Sequence, residues 1–111
     1  MAYRWCTGWV LAAMASHAWA NVANDQLMKL PDDQRSGIFA AMLRNGGEKC
    51  ASASRVFYQG KSSQGDAFWA VSCKGGESWQ IMVRNNAKGS TKYLSCKMIA
   101  ALNAGECFKK F

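Results

Sequence analysis

Cysteine is the residue type in this chain whose number and spacing most directly imply chemistry. The chain has five cysteines, and one of them, Cys6, lies within the first twenty residues. The even number that remains is typical of disulfides in a small exported domain. No pair has the Cys-x-x-Cys spacing that zinc clusters and thioredoxin-like redox sites use. We therefore interpret the cysteines as structural and expect no metal and no other cofactor. Four of them follow residue 20: Cys50, Cys73, Cys96 and Cys107.

The first twenty residues have the layout of a cleaved secretory signal. Arg4 precedes a largely apolar run from Trp5 to Ala15, and the segment ends with Ala18-Trp19-Ala20, a typical cleavage pattern. The run is shorter than the roughly 20 residues that a spanning helix needs. We predict a signal peptide at residues 1–20 and one periplasmic or secreted domain at residues 21–111, without a transmembrane segment. A retained N-terminal anchor is the alternative.

Cleavage after Ala20 would remove His17, the one histidine of the chain. Serine and cysteine hydrolases of the usual kind need an imidazole base, and most catalytic zinc sites need imidazole as a ligand. The sequence also lacks the Cys-x-x-Cys-His motif that attaches a c-type haem. We therefore predict that the protein is not an enzyme.

Two further patterns could support catalysis, and both are weak. Gly60-Lys61-Ser62 matches the end of a phosphate-binding P-loop, but Arg55 occupies the position of its first glycine and a strand pattern follows where that motif requires a helix. The seven acidic residues are scattered, and nothing selects a glycosidase-like pair. A small hydrolase that uses carboxylates is our third hypothesis.

One amphipathic helix of about three turns is predicted before the first of the four cysteines. Pro31 suits a first helical turn, and Gly46 can end the helix. Asp32 and Asp33 complement the positive end of the helix dipole. Residues 21–30 are interpreted as a short lead-in. The apolar residues between the two ends form one stripe: Ile38, Phe39, Met42 and Leu43.

From Cys50 onward, apolar and polar residues alternate, which indicates β-strands. The strands are predicted at residues 54–59, 67–73, 78–84 and 91–96. Their short polar connections favour an antiparallel meander, and a short helical turn is predicted near the C-terminus. The predicted fold class is α+β, with one amphipathic helix packed on a four-stranded antiparallel meander and two disulfides.

The hairpin between the second and third strands fixes the position of both tryptophans of the predicted domain. If its Lys-Gly-Gly sequence is a three-residue turn with Gly76 left-handed, Trp69 lies opposite Ile81 and Val71 opposite Trp79. A two-residue turn would shift each pair by one and mix apolar with polar partners. We therefore expect both tryptophans in the core rather than on a ligand-binding surface.

The meander also predicts the disulfide connectivity. Cys50 begins the first strand and Cys73 ends its antiparallel neighbour, so the two side chains can approach to bonding distance. Cys96 lies two strands beyond Cys73, which leaves Cys107 as its partner. Each disulfide is expected to contribute about 3 kcal/mol through loop closure.

Positive charge is concentrated in the second half of the chain, whose formal charge is +7 overall. Residues 78–111 hold six basic residues against Glu106 alone, a balance of +5, whereas residues 21–77 have a balance of +1. The backbone N–H groups of Gly89 and Ser90 could also bind an anion. The candidate partner-binding residues are Arg84, Lys88, Lys92, Lys109 and Lys110, with Phe108 and Phe111 as apolar anchors.

These features favour a small exported, non-enzymatic binding module. Its basic surface would attract an anionic envelope component or an acidic protein. Nucleic acid is the least favoured partner, because an exported domain without a nucleic-acid motif has little reason to bind it. The alternative is a periplasmic inhibitor or accessory subunit that docks through loops or an exposed sheet face, with Phe68, Met82 and Tyr93.

Overall fold

The computed structural model describes residues 21–111. The predicted signal peptide, including Arg4 and His17, lies outside the described residues. Across the described part of the chain, no helix has the length and apolar character needed to cross a membrane.

The domain begins with two helices, where the sequence predicted one. Helix α1 spans Val22–Lys29 and helix α2 spans Asp32–Asn45. The expectation of a lead-in at residues 21–30 was wrong, because Asn21 caps α1 by accepting a hydrogen bond from the Asn24 amide at 3.1 Å. Such a cap satisfies one of the free amides at a helix start.

Four strands form an antiparallel meander in the order β1-β2-β3-β4, as predicted. Strand β1 spans Ala53–Lys61, β2 spans Ala67–Cys73, β3 spans Ser78–Val83 and β4 spans Thr91–Ser95. The predicted pairing of β2 with β3 is confirmed, with Trp69 opposite Ile81 and Val71 opposite Trp79.

The turn between β2 and β3 differs from the prediction in its left-handed residue. Gly75 has the positive φ, of 75°, and Gly76 does not. A Cβ on Gly76 would instead overlap the carbonyl oxygen of Lys49. Gly75 therefore supplies the left-handed backbone conformation, and Gly76 allows the Lys49 carbonyl to approach the turn closely. The predicted register still holds, because it depends on the three-residue length of the turn.

The main core lies between the helices and one face of the sheet. Phe39 and Leu43 of α2 are fully buried against this face, and Trp69 and Trp79 are 3% and 9% exposed, which confirms their core position. Ile38 is 42% exposed, so the helical stripe is narrower than predicted.

The opposite sheet face is partly covered by the C-terminal segment. Helix α3 spans Cys96–Ala101, and its Ile99 packs with Cys107 and Ala70 in a second cluster. Both predicted disulfides are present, Cys50–Cys73 with Cα atoms 4.9 Å apart and Cys96–Cys107 with Cα atoms 5.7 Å apart. The second disulfide ties the C-terminal tail to the start of α3.

Candidate functional site

The part of the sheet that neither the helices nor the tail covers forms an open groove of about 270 Å³. We call this region the open face. Phe68 and Met82 are half-buried there, and Leu94 is 43% exposed. The groove is therefore an apolar surface in contact with solvent. Its lining residues are Phe68, Gln80, Met82, Lys92, Tyr93 and Leu94.

Strand alternation places all of these side chains except that of Tyr93 on one face. Phe68 pairs with Met82, and Met82 pairs in turn with Lys92. Gln80 pairs with Leu94 in the next row. Because successive side chains of a strand point to opposite faces, the residues between them face the core. Lys92 therefore stands beside an apolar floor.

Tyr93 does not belong to the open face as the alternative hypothesis expected. Its ring packs edge-on against Trp79 at a centroid distance of 5.3 Å. Its hydroxyl donates to the carbonyl of Gly46 at 3.0 Å. The side chain therefore joins β4 to the end of α2 on the helix side of the sheet.

The structure brings two of the three predicted basic residues around the third hairpin to the same face. Val83 is in the core, so alternation directs the next residue, Arg84, toward the side of Lys92. Arg84 is half-buried, whereas Lys88 is exposed in the β3–β4 loop. Lys92 lines the groove, whereas Arg84 directly follows the end of β3 and is not among the lining residues.

The amides of Gly89 and Ser90 already donate to acceptors within the β3–β4 loop. The Gly89 amide donates to the Asn86 carbonyl at 3.1 Å. The Ser90 amide donates to Asn86 Oδ1 at 3.2 Å. The expectation of an anion-binding loop backbone was therefore wrong, because Asn86 already accepts both hydrogen bonds. The charged side chains remain the candidates.

A buried glutamine holds the C-terminal tail near the open face. Gln59 is 2% exposed, and its Nε2 lies 3.2 Å from the Glu106 carbonyl and 3.4 Å from the Lys109 carbonyl. Its Oε1 accepts from Gln80 Nε2 at 2.9 Å. Gln80 also lines the groove. One hydrogen-bond network thus connects the tail to the groove.

The tail residues have distinct environments. Phe111 is 67% exposed, and its ring lies 5.2 Å from that of Phe68. Phe108 packs in the second cluster, with the Arg55 guanidinium 4.3 Å from its ring centroid. Phe108 therefore helps to pack the tail on the sheet. Phe111 remains the accessible aromatic residue of the tail beside the groove.

The basic residues near the groove have no acidic partner among residues 21–111. The salt bridge found in this part of the chain joins Arg35 to Asp32, on the helix side. Lys110 instead lies over aromatic rings, with its Nζ 4.8 Å from the Tyr58 ring centroid. Within residues 21–111, acidic side chains therefore form no salt bridge with the basic residues of the tail or of β4.

Sequence reasoning missed Leu94, Gln59 and Gln80 at this site. Leu94 could have been found, since it follows Lys92 by two residues and must share its face. Alternation from the core-facing Tyr58 assigns Gln59 to this face, but its contacts with the tail could not be predicted, because they join residues 47 and 50 positions apart.

A second groove, of about 290 Å³, lies on the helix side. It is lined by Leu27 and Leu30 next to Ile38 and Met42 of α2. It was missed because α1 was not predicted, although Ala23 and Leu27 have helical spacing.

Within residues 21–111, no cluster of three or more histidine, cysteine or acidic side chains could hold a metal ion. The described site therefore consists of an apolar groove with nearby cations. No protein-family model, curated protein or solved structure matches the chain.

Proposed function

We propose that residues 21–111 form an exported, non-enzymatic module that binds an anionic partner on the open face of its sheet. The observation that carries the proposal is the position of Lys92 in the lining of a groove whose floor is Phe68, Met82 and Leu94. A cation next to apolar surface can attract an anionic partner and then bury part of it. The partner class is an envelope component or an acidic protein.

Several features support this proposal. Arg84 shares the side of Lys92, and the tail brings Lys109 and Lys110 to the other end of the Gln59 and Gln80 network. Two disulfides support export to an oxidising compartment, where such bonds persist. The disulfides and the signal-like N-terminus support a periplasmic or secreted location as part of this proposal.

Charge reversal tests the proposal. The triple variant Arg84→Glu, Lys88→Glu and Lys92→Glu should elute from a heparin column at much lower salt than the natural chain, and should not bind vesicles that contain phosphatidylglycerol. Attraction between exposed charges is screened within about 10 Å at 0.1 M salt. The binding that the charge reversal removes should therefore also be lost when salt is added to the natural chain.

A matched control carries the same change of charge away from the open face. Lys29, Lys49 and Lys74 are exposed at the end of α1, before β1 and in the β2–β3 turn. Their triple replacement by glutamate should reduce retention far less. Equal losses in the two triple variants would reject the proposed site, and unchanged retention in both would reject electrostatic binding.

The apolar floor supports the second candidate, an inhibitor or accessory subunit that docks a protein through the open face. In that case Leu94→Ser should weaken binding to the partner at high salt, where the basic residues contribute little. Binding that disappears at high salt in the natural chain would instead exclude this candidate.

A further inference from the structure

The two edges of the sheet differ in how their backbone groups are used. At β1, the amide of Phe111 donates to the Gln59 carbonyl at 3.1 Å, so the tail occupies part of that edge. Strand β4 pairs with β3 on one side. Within residues 21–111, no backbone or side-chain group bonds to its outer side.

The hydrogen-bond pattern identifies which groups of β4 point outward. The Arg84 amide donates to the Ser90 carbonyl at 2.8 Å, so Arg84 and Ser90 occupy a hydrogen-bonding position of the β3–β4 ladder. Hydrogen-bonded and non-hydrogen-bonded pairs alternate along an antiparallel ladder, so Lys92 and Leu94 bond to β3. The N–H and C=O groups of Thr91 and Tyr93 therefore face away from the sheet.

The open groove reaches this free edge. Lys92, Tyr93 and Leu94 are consecutive, and all three line the groove. The Tyr93 side chain lies on the other face against Trp79, so its contribution to the groove comes from the strand itself. Unpaired strand groups thus lie beside the apolar floor and the Lys92 ammonium.

We propose that the open face binds an extended acidic segment of a partner protein, which adds to the sheet as a fifth strand along β4. This inference rests on the proposed function and names its partner class. Main-chain hydrogen bonds to Thr91 and Tyr93 would supply affinity, as in other complexes formed by strand addition. Side chains of the partner on the groove side would supply specificity, an acidic residue beside Lys92 and an apolar residue two positions away beside Leu94.

Charge and hydrogen-bonding capacity favour this occupant over two others. A second copy of the chain would bring a second Lys92 to the same edge, and like charges on paired strands are destabilising. A short edge strand with an exposed lysine is also a common protection against self-association. Lipid phosphates accept hydrogen bonds but donate none, so they would leave the outward carbonyls of Thr91 and Tyr93 unpaired.

A designed peptide tests the proposal on the oxidised domain. The probe is acetyl-TETVTETVT-amide, in which glutamate and valine alternate on one face. The control is the same peptide with N-methyl groups on its threonines, whose N–H groups would face β4 in an antiparallel addition that keeps glutamate and valine on the groove side. The probe should bind with a Kd well below about 1 mM, the weak end of the affinity scale, and the control at least tenfold more weakly.

Amide hydrogen exchange provides the site-specific measurement. Exchange at Thr91 and Tyr93 should slow at least tenfold with saturating probe. Exchange at Val56, which the same alternation places on the outer edge of β1, should not change. Lys92→Glu should weaken binding of the probe at least fivefold. A peptide with lysine in place of each glutamate should bind the Lys92→Glu variant with the affinity that the probe has for the natural chain.

The outcomes separate this inference from the proposed function. Equal binding of the N-methylated peptide, unchanged exchange at Thr91 and Tyr93, or a Kd of about 1 mM or weaker would overturn strand addition. If heparin and vesicles still bind in a Lys92-dependent way, the anionic site stands without it. If neither the peptide nor those two probes binds, the proposed function fails as well.

Discussion

Single hydrogen bonds distinguish the two core tryptophans. Trp69 Nε1 donates to Asn24 Oδ1 at 2.8 Å, which joins the sheet to α1. Among residues 21–111, the buried Nε1 of Trp79 finds no hydrogen-bond partner. A buried polar group without a partner costs about 1–3 kcal/mol, so the two indole groups contribute differently to stability although both rings fill the same core.

Substitution by phenylalanine should reveal this difference. Trp69→Phe leaves Asn24 Oδ1 without its donor, whereas Trp79→Phe removes a donor that was already unpaired. We expect the free energy of unfolding to fall by about 1–2 kcal/mol more in Trp69→Phe, measured by urea denaturation with circular dichroism. Each variant is the size-matched control for the other, and equal losses would show that the Asn24 hydrogen bond contributes nothing.

Gln59 should be the most sensitive single residue of the tail attachment. Gln59→Leu leaves Gln80 and the carbonyls of Glu106 and Lys109 without a buried partner, so we expect a loss of about 2 kcal/mol in unfolding free energy. Hydrogen exchange in residues 104–111 should accelerate at the same time. Gln64→Leu, in an exposed loop, should change stability by less than about 0.5 kcal/mol; similar losses in both variants would contradict the bridging role.

At the level of elements, predictability followed the strength of the local pattern. Apolar and polar residues alternate regularly in β2 and β3, and a short turn joins the two strands, so the sequence predicted their register correctly. It did not predict which of Gly75 and Gly76 is left-handed. Helix α1 has only eight residues, a length at which isolated helices are marginal. Its position depends on a contact between Asn24 and Trp69, 45 residues apart, which a local pattern does not encode.

The candidate site shows the same division. Met82 and Lys92 can be assigned to one face once the β3–β4 register is known, but the sequence analysis did not predict that register and placed Tyr93 beside Met82 instead. The path of the tail could not be predicted, because it depends on hydrogen bonds from Gln59 to the distant Glu106 and Lys109 carbonyls. The sequence therefore identifies the basic residues, but not how Lys92, Lys109 and Lys110 are brought toward the groove.

The two disulfides act on different elements, and their removal should have different consequences. Cys96→Ala with Cys107→Ala should release α3 and the tail, because Cys107 belongs to the second cluster. Limited proteolysis should then cut within residues 102–111 while the circular dichroism of the sheet is retained. Cys50→Ala with Cys73→Ala should lower the stability of the whole domain, because these residues lie in the main core. Tail protection that survives the loss of Cys96 and Cys107 would show that Gln59 is sufficient.

For the whole molecule, the free energy that the two disulfides contribute is similar in size to the total free energy of unfolding. The loops that the two bonds close span 23 and 11 residues, for which loop closure predicts about 3 kcal/mol each. Domains of this size have a total stability of about 5–14 kcal/mol. The apolar core alone therefore leaves a small margin, and the open face keeps further apolar surface in contact with solvent.

Reduction should consequently unfold much of the population near 37 °C. A loss of about 6 kcal/mol corresponds to a fall in Tm of at least about 20 °C for a domain of this length. Thermal denaturation with and without a phosphine reductant measures this fall, and mass spectrometry confirms that four hydrogens are gained. A variant with all four cysteines replaced by alanine should melt with the reduced chain and should not respond to the reductant. If reduction leaves Tm nearly unchanged, the core alone stabilises the fold, and binding on the open face would no longer require an oxidising compartment.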